Sequence, residues 1–450
     1  MPRKNANNVR KQTPDMYWLI NALYVTAIVL YSPVVVYRMI AQNRYRTGWS
    51  QRLGRVGRKW PDKKCLWLHA VSVGEINAAR TLIDALRQAL PDYEIVISST
   101  TDTGLARACA LYEKQYSVFY FPFDFSCVMK KAFDRLRPNA ILLMELEVWP
   151  NLASIARRRN IPIVVVNGRI SDRSFPRYMK FRKITWWMFE KVSLVLAQTQ
   201  EYANRFIALG CEPDKVVVTN SLKYDTAQTD GAVHGTERLA EQIRLENDRL
   251  WVLGGTGPGE EQIGLDVFAR LKKDSGLENL RLAIVPRKPE RFDEVAGLIE
   301  KAGFDYVRFS KLKENNSRAE GKPAVILGDT MGDLKKFYAL AKIVFVGRTL
   351  VPMGGSDMME PAALGKCTTF GPYTFNFKQT VDALLEGNGA IEVADNEELY
   401  DITKKCLSSP NFANAIAAAG QKIIRRNQGA TQKTVESIIK TVLNTDKKKL

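Results

Sequence analysis

Short apolar runs rich in Val, Ile and Leu recur along this chain with longer amphipathic stretches between them. In the first half they are Leu66–Val73, Glu94–Thr100, Ala140–Leu146, Ile161–Asn167, Leu194–Thr199 and Val216–Thr219. Runs of this length fit strands buried on both faces of a parallel sheet, and the stretches between them fit crossover helices. A polar, Gly-containing segment, Thr226–Thr236, breaks the alternation. It resumes at Leu250–Gly254, Leu280–Val285, Ala324–Gly328, Ile343–Gly347 and Thr368–Gly371. The pattern predicts an α/β chain of two Rossmann-like domains, residues 46–225 and 237–450, joined by a linker at 226–236. The helical stretch Asn411–Leu443 ends the second, and by analogy with other two-Rossmann chains it returns to the first. Ligands of open α/β sheets bind beyond the carboxyl ends of the strands, so two such domains are expected to face a common cleft.

Residues 1–45 read differently. Met16–Tyr37 is a run of 22 residues without a charge, and about 20 apolar residues suffice to cross the hydrocarbon core of a bilayer. Tyr17, Trp18, Tyr31 and Tyr37 suit the membrane interface, whereas Asn21 and Pro33 interrupt the run, so a kinked or monotopic insertion stays open beside a full span. The run ends in Val-Val-Val-Tyr-Arg, with no small-residue cleavage site, which favours a retained anchor. More Lys and Arg follow it than precede it, placing the domains on the cytoplasmic side.

Charge reinforces this picture. The 450 residues carry 66 Lys plus Arg against 48 Asp plus Glu, a net +18. Residues 1–64 alone hold thirteen basic and two acidic side chains, a net +11. A cationic N-terminus beside an apolar run suits anionic lipid, and the distribution argues against a nucleic-acid reader with basic patches on its folded domains. Cys65, Cys109, Cys127, Cys211, Cys367 and Cys406 form no Cys-x-x-C pair, and the only histidines are His69 and His234. No zinc site, and no metal or cofactor, is expected.

Candidate chemistry follows the strands. In His69–Glu75 a strand runs into a Gly turn, with Glu75 at the start of a helix; it is either a general base or an ordinary first-turn carboxylate. His69 reads as a hydrogen-bonded core residue. Glu145 and Glu147 end the apolar strand Ala140–Met144, where acids are costly unless paired or used. Asn167–Ser174 adds Arg169 and Arg173, suited to phosphate or carboxylate. Arg177–Phe189 interleaves basic and aromatic side chains, either a lipid-facing helix or a surface helix over an aromatic core. In the second half, Gly254–Glu261, including Thr256 and Gly257, follows a strand and could cradle a phosphate. Arg287 and Lys288 offer cations after the next strand. Gly354 and Gly355, then Ser356, Asp357 and Glu360, form a Gly-rich loop opening a helix that suits a nucleotide, with Glu360 placed to accept from ribose hydroxyls.

These blocks, in this order, resemble the family of Kdo (3-deoxy-D-manno-octulosonic acid) transferases acting on lipid A precursors. The resemblance is carried by Arg46–Gly54, His69–Glu75, Glu145–Asn151, Asn167–Ser174, Ser221–Asp225, Gly259–Glu261, Pro286–Arg291, Gly328–Gly332, Glu360–Gly365 and Phe370–Phe377. It implies a GT-B glycosyltransferase of the inner membrane, with its catalytic domains on the cytoplasmic face. It would move Kdo from CMP-Kdo to the lipid A precursor in lipopolysaccharide synthesis, with inversion and without a metal. On this resemblance Glu75 is the general base, Glu145 and Glu147 hold the acceptor or orient the site, and Arg287 meets the CMP phosphate. Three positions depart from the family pattern. Ser356-Asp357 stand for His-Asn, Gly255-Thr256-Gly257 for Ser-Thr-His, and Arg348-Thr349 for Gly-Ser. Asp357 sets a negative charge where a donor phosphate is expected, for which Arg348 could compensate. A transferase of other donor or acceptor, and a catalytically silent lipid-binding homologue, are the alternatives.

Overall fold

The computed structural model describes residues 17–41, 47–229 and 233–443. Met16, Arg3, Lys4, Arg10, Lys11, Arg44, Arg46 and the Lys447–Lys449 tail lie outside the described residues. The chain divides into two compact units, Met1–Thr226 with Gly429–Leu450, and Ala227–Gln428.

The first unit is built on a seven-stranded parallel sheet of β1 (Lys64–His69), β2 (Tyr93–Ser99), β3 (Ser117–Tyr120), β4 (Ala140–Met144), β5 (Ile163–Gly168), β6 (Leu194–Ala197) and β7 (Val216–Val218), in the order β3-β2-β1-β4-β5-β6-β7. Alternate residues of each strand point to opposite faces, which sorts the core into two layers. Cys65, Trp67, Val96, Ile141, Leu143 and Val165 pack on one side, and Leu66, Leu68, Ile95, Ile97, Leu142 and Val164 on the other. Trp67, fully buried, packs its ring among Phe119, Phe121 and Phe133 and donates its indole N–H to Ser98 Oγ at 2.9 Å.

The second layer is completed from the end of the chain. Ala430, Val435 and Ile438 of the helix Ala430–Ile438 join it, and the Asp225 carboxylate accepts the N–H groups of Gly429 and Thr431 at the helix start.

The N-terminal helix Tyr17–Ala41 is long and apolar enough to cross a membrane. Its first turns are nonetheless part of the first unit. Ile20 is buried, Asn21 Nδ2 donates to Ser126 Oγ (2.7 Å), Asn151 Nδ2 donates to Asn21 Oδ1 (3.1 Å), and the Tyr24 hydroxyl donates to Asp124 Oδ2 (2.9 Å). Beyond Tyr24 the helix exposes Val25, Ile28, Val29, Leu30, Tyr31, Val34, Tyr37 and Ile40.

The second unit carries a second parallel sheet, of β8 (Arg249–Thr256), β9 (Leu280–Pro286), β10 (Tyr306–Arg308), β11 (Val325–Leu327), β12 (Ile343–Val346), β13 (Cys367–Phe370) and β14 (Ile391–Glu392), in the order β10-β11-β9-β8-β12-β13-β14. The two-domain α/β class read from the sequence therefore stands. The strands that its apolar runs did not announce, β3, β10 and β14, are all at sheet edges. An edge strand is covered on fewer sides and so need not be uniformly apolar.

Candidate active site

In the first sheet the strand order reverses between β1 and β4, and the loops leaving these two strands meet at that switch point. Ser72 caps the helix Val73–Ala78 by accepting the Glu75 N–H, and its hydroxyl donates to Glu75 Oε1 at 2.9 Å. The Val71 N–H donates to Glu75 Oε2, also at 2.9 Å. These bonds fix the side chain while leaving lone pairs of both oxygens free. Burial pushes the Glu75 carboxyl up to about 7. The negative charges of Glu145 and Glu147 add to the rise, against the lowering effect of the two hydrogen bonds.

Glu145 and Glu147 thus belong to one acidic cluster with Glu75. Glu145 holds a left-handed backbone (φ 56°), an uncommon conformation for a residue with a side chain, at the turn out of β4. Glu147 accepts the Trp149 indole N–H at 3.1 Å, and burial raises its carboxyl with help from Glu145. Arg169 follows β5, its N–H donating to the Glu145 carbonyl; its side chain is half-buried, and Arg173 is exposed. His69 is a core residue. Its ring stacks on Phe121 at 3.9 Å and bonds Ser98 through Nδ1, and burial lowers it to about 3, so it stays neutral.

The second sheet reverses between β8 and β12. The amide cradle expected there for a phosphate is filled by the protein's own Glu260. Its Oε2 accepts the N–H groups of Gly257 (2.9 Å) and Arg348, and its Oε1 those of Thr349 (2.8 Å) and Leu350 (3.0 Å). The Thr256 hydroxyl donates to Glu261, which is clasped by both Nη atoms of Arg291. Thr256 and Gly257 are therefore engaged by internal carboxylates rather than held ready for an incoming anion.

What remains open at this end are side chains and the loop after β12. Arg287 and Lys288 are exposed and make no ion pair among the described residues. Gly354 and Gly355 both take left-handed backbone (φ 87° and 89°), and a Cβ on Gly354 would lie 2.2 Å from Asn376 Nδ2. Ser356 Oγ donates to the Gly255 carbonyl at 2.7 Å, tying the β12 loop to the β8 loop. Asp357 Oδ1 accepts the Met359 N–H at 2.9 Å, so the first amide of the short helix Met359–Ala363 is already taken by a carboxylate. Burial raises Glu360 to about 7; Asp357 adds to the rise, and Lys335 and Arg287 oppose it.

The basic-aromatic segment forms two helices, Phe175–Lys180 and Arg182–Phe189. Trp187, Met188 and Phe189 are buried, whereas Phe181 (65% exposed), Ile184 and Trp186 (48%) face outward among Arg177, Lys180, Arg182 and Lys183. The sequence reading did not single out Asp124. Buried, it accepts the Asn151 and Leu152 N–H groups that open the helix Pro150–Arg158. Nothing local marks it, because its partners are 27, 28 and 100 residues away.

A sequence model of 3-deoxy-D-manno-octulosonic-acid transferase matches residues 47–226. The 3-deoxy-D-manno-octulosonic acid transferase of Haemophilus influenzae is 31% identical over 92% of this chain and 96% of its own. The chain belongs to the Kdo transferase family. It is accordingly a Kdo-transferring glycosyltransferase of lipopolysaccharide synthesis. The Bordetella pertussis Kdo transferase is 30% identical over 86% of this chain and 90% of its own. Among solved structures, a UDP-GlcNAc 2-epimerase from Neisseria meningitidis bound to UDP-GlcNAc superposes with a TM-score of 0.55, 14% identity, and coverage of 84% of this chain and 100% of that one. At that identity the likeness speaks for the fold alone.

Proposed function

We propose that this Kdo transferase takes CMP-Kdo as donor and the lipid A precursor as acceptor, and works by inversion with Glu75 as the general base. The observation that carries this reading is the Glu75 carboxyl at the β1/β4 switch point, half-buried beside two further carboxylates and raised to about 7. A base with that affinity can take a hydroxyl proton near neutral pH. The acceptor oxygen then attacks the anomeric carbon of Kdo from the side opposite CMP. The bond to the CMP phosphate breaks, and its electron pair leaves with the phosphate. Arg287 and Lys288 meet that charge, and the Gly354–Asp357 loop lets the nucleotide approach while Glu360 receives ribose hydroxyls. Glu145, Glu147, Arg169 and Arg173 orient the acceptor. No step calls for a metal.

The membrane is the second element of the proposal. With residues 17–24 docked on the first unit, residues 25–41 are left for lipid, a helix of about 25 Å against a hydrocarbon core of about 30 Å. The anchor therefore dips into the cytoplasmic leaflet of the inner membrane, with Phe181 and Trp186 and the cations around them resting on anionic headgroups.

The test is mass spectrometry of purified protein incubated in detergent with CMP-Kdo and lipid A precursor. A product heavier by one or more Kdo units is expected from the parent, and none from Glu75→Gln. Full activity in that variant removes Glu75 as the base, and no product from the parent removes the donor–acceptor pair.

A further inference from the structure

The cation best placed for the donor lies on neither of the basic stretches that the sequence displays. Arg348 lies two residues beyond β12, at the point where the second sheet changes direction, and its backbone is left-handed at φ 63°. An L-residue with a long side chain is rarely held there unless the surroundings require it. The guanidinium is half-buried yet poorly provided for. Nη2 donates to the Met353 carbonyl at 3.3 Å, Nε is buried without any partner, and no carboxylate among the described residues lies within ion-pair distance. Its Cγ would lie only 3.1 Å from a Cβ added at Gly257, so the side chain stands between the loops that leave β8 and β12. The four backbone N–H groups of those same loops are occupied by Glu260. Those four amides are closed to an oxyanion arriving at this switch point, and a partly desolvated guanidinium lacking a counter-ion is a group suited to meet it.

We propose that Arg348 binds an oxyanion of the sugar nucleotide, its phosphate or the carboxylate of its acidic sugar, supplying the positive charge that the β8 and β12 loop amides cannot. The proposal rests on the donor site described above and adds a specificity-determining residue to it.

The experiment uses the full chain in detergent and titrates CMP and cytidine calorimetrically against the parent, Arg348→Gly and Arg348→Met. Glycine takes the left-handed backbone without strain, and methionine keeps most of the stem, so loss of folding does not stand in for loss of binding. Both variants are expected to lose CMP affinity about 10- to 100-fold, the range for one charge-assisted hydrogen bond, with cytidine affinity unchanged. That result assigns the phosphate to Arg348. Unchanged CMP binding with a similarly raised KM for CMP-Kdo assigns the sugar carboxylate instead. Parent-like values in both measurements overturn the proposal while leaving the CMP-Kdo reading intact. If the parent binds UMP and not CMP, and Arg348→Gly loses UMP, the cytidine reading falls and Arg348 stands. A parent that binds no nucleotide sinks both.

Discussion

Replacing Glu260 by Gln changes one atom and reverses half of the hydrogen bonds that join the β8 and β12 loops of the second unit. The carboxylate accepts four N–H groups, two on each oxygen, and is 1% exposed. Glutamine presents one accepting oxygen and one donating NH2. Whichever way the amide turns, two N–H groups meet a donor. Leaving a buried donor unsatisfied costs about 1–3 kcal/mol, so the two together cost about 2–6 kcal/mol. Against this, burial raises the Glu260 carboxyl, a sign that holding the charge indoors is itself costly, and the neutral amide recovers part of that. A net loss of about 3 kcal/mol is expected, which in a unit of this size lowers Tm by about 6–12 °C. Scanning calorimetry of the full chain in detergent measures it. Glu260→Ala opens the four amides to solvent, and added sulfate should recover part of its loss by taking the carboxylate's place. A Tm for Glu260→Gln within about 2 °C of the parent, with no effect of sulfate on Glu260→Ala, would refute the account of this carboxylate as the organising anion of the site.

Three further outcomes are expected. As the proposed base, Glu75 has to be ionised to accept a proton, and with its carboxyl raised to about 7 kcat/KM should fall as pH drops through 7; Glu145→Gln, by removing a neighbouring negative charge, should move that limb to lower pH, and an unmoved limb would separate the two residues. Asn21→Ala strips partners from Ser126 and Asn151, so it should lower the stability of the first unit by about 1–3 kcal/mol even in detergent, where a helix that served only as a tether would leave denaturant midpoints unchanged. Phe181→Ser with Trp186→Ser should reduce sedimentation with anionic vesicles several-fold at a small cost in Tm, since Phe181 is 65% and Trp186 48% exposed; equal sedimentation would take these helices off the lipid surface.

The sequence by itself determined the architecture of each sheet's interior. Runs such as Ala140–Met144 and Ile343–Val346 fit only strands buried from both sides, and the polar turns that leave the strands mark where chemistry can sit. Glu75, Glu145 and Glu147 were legible for the same reason, as acids at the ends of apolar strands. What it could not decide was which anion fills which set of amides. The Gly254–Glu261 loop reads as a phosphate cradle until the fold brings Arg348, Thr349 and Leu350, some ninety residues on, against Glu260. The same holds for Asp124 with Tyr24 and for Asp225 with Gly429, where the partners are 100 and 204 residues apart. Periodicity and turn chemistry are local and survive in the chain, whereas the satisfaction of a buried charge depends on groups that only the folded backbone assembles, which is why tertiary structure settled those positions.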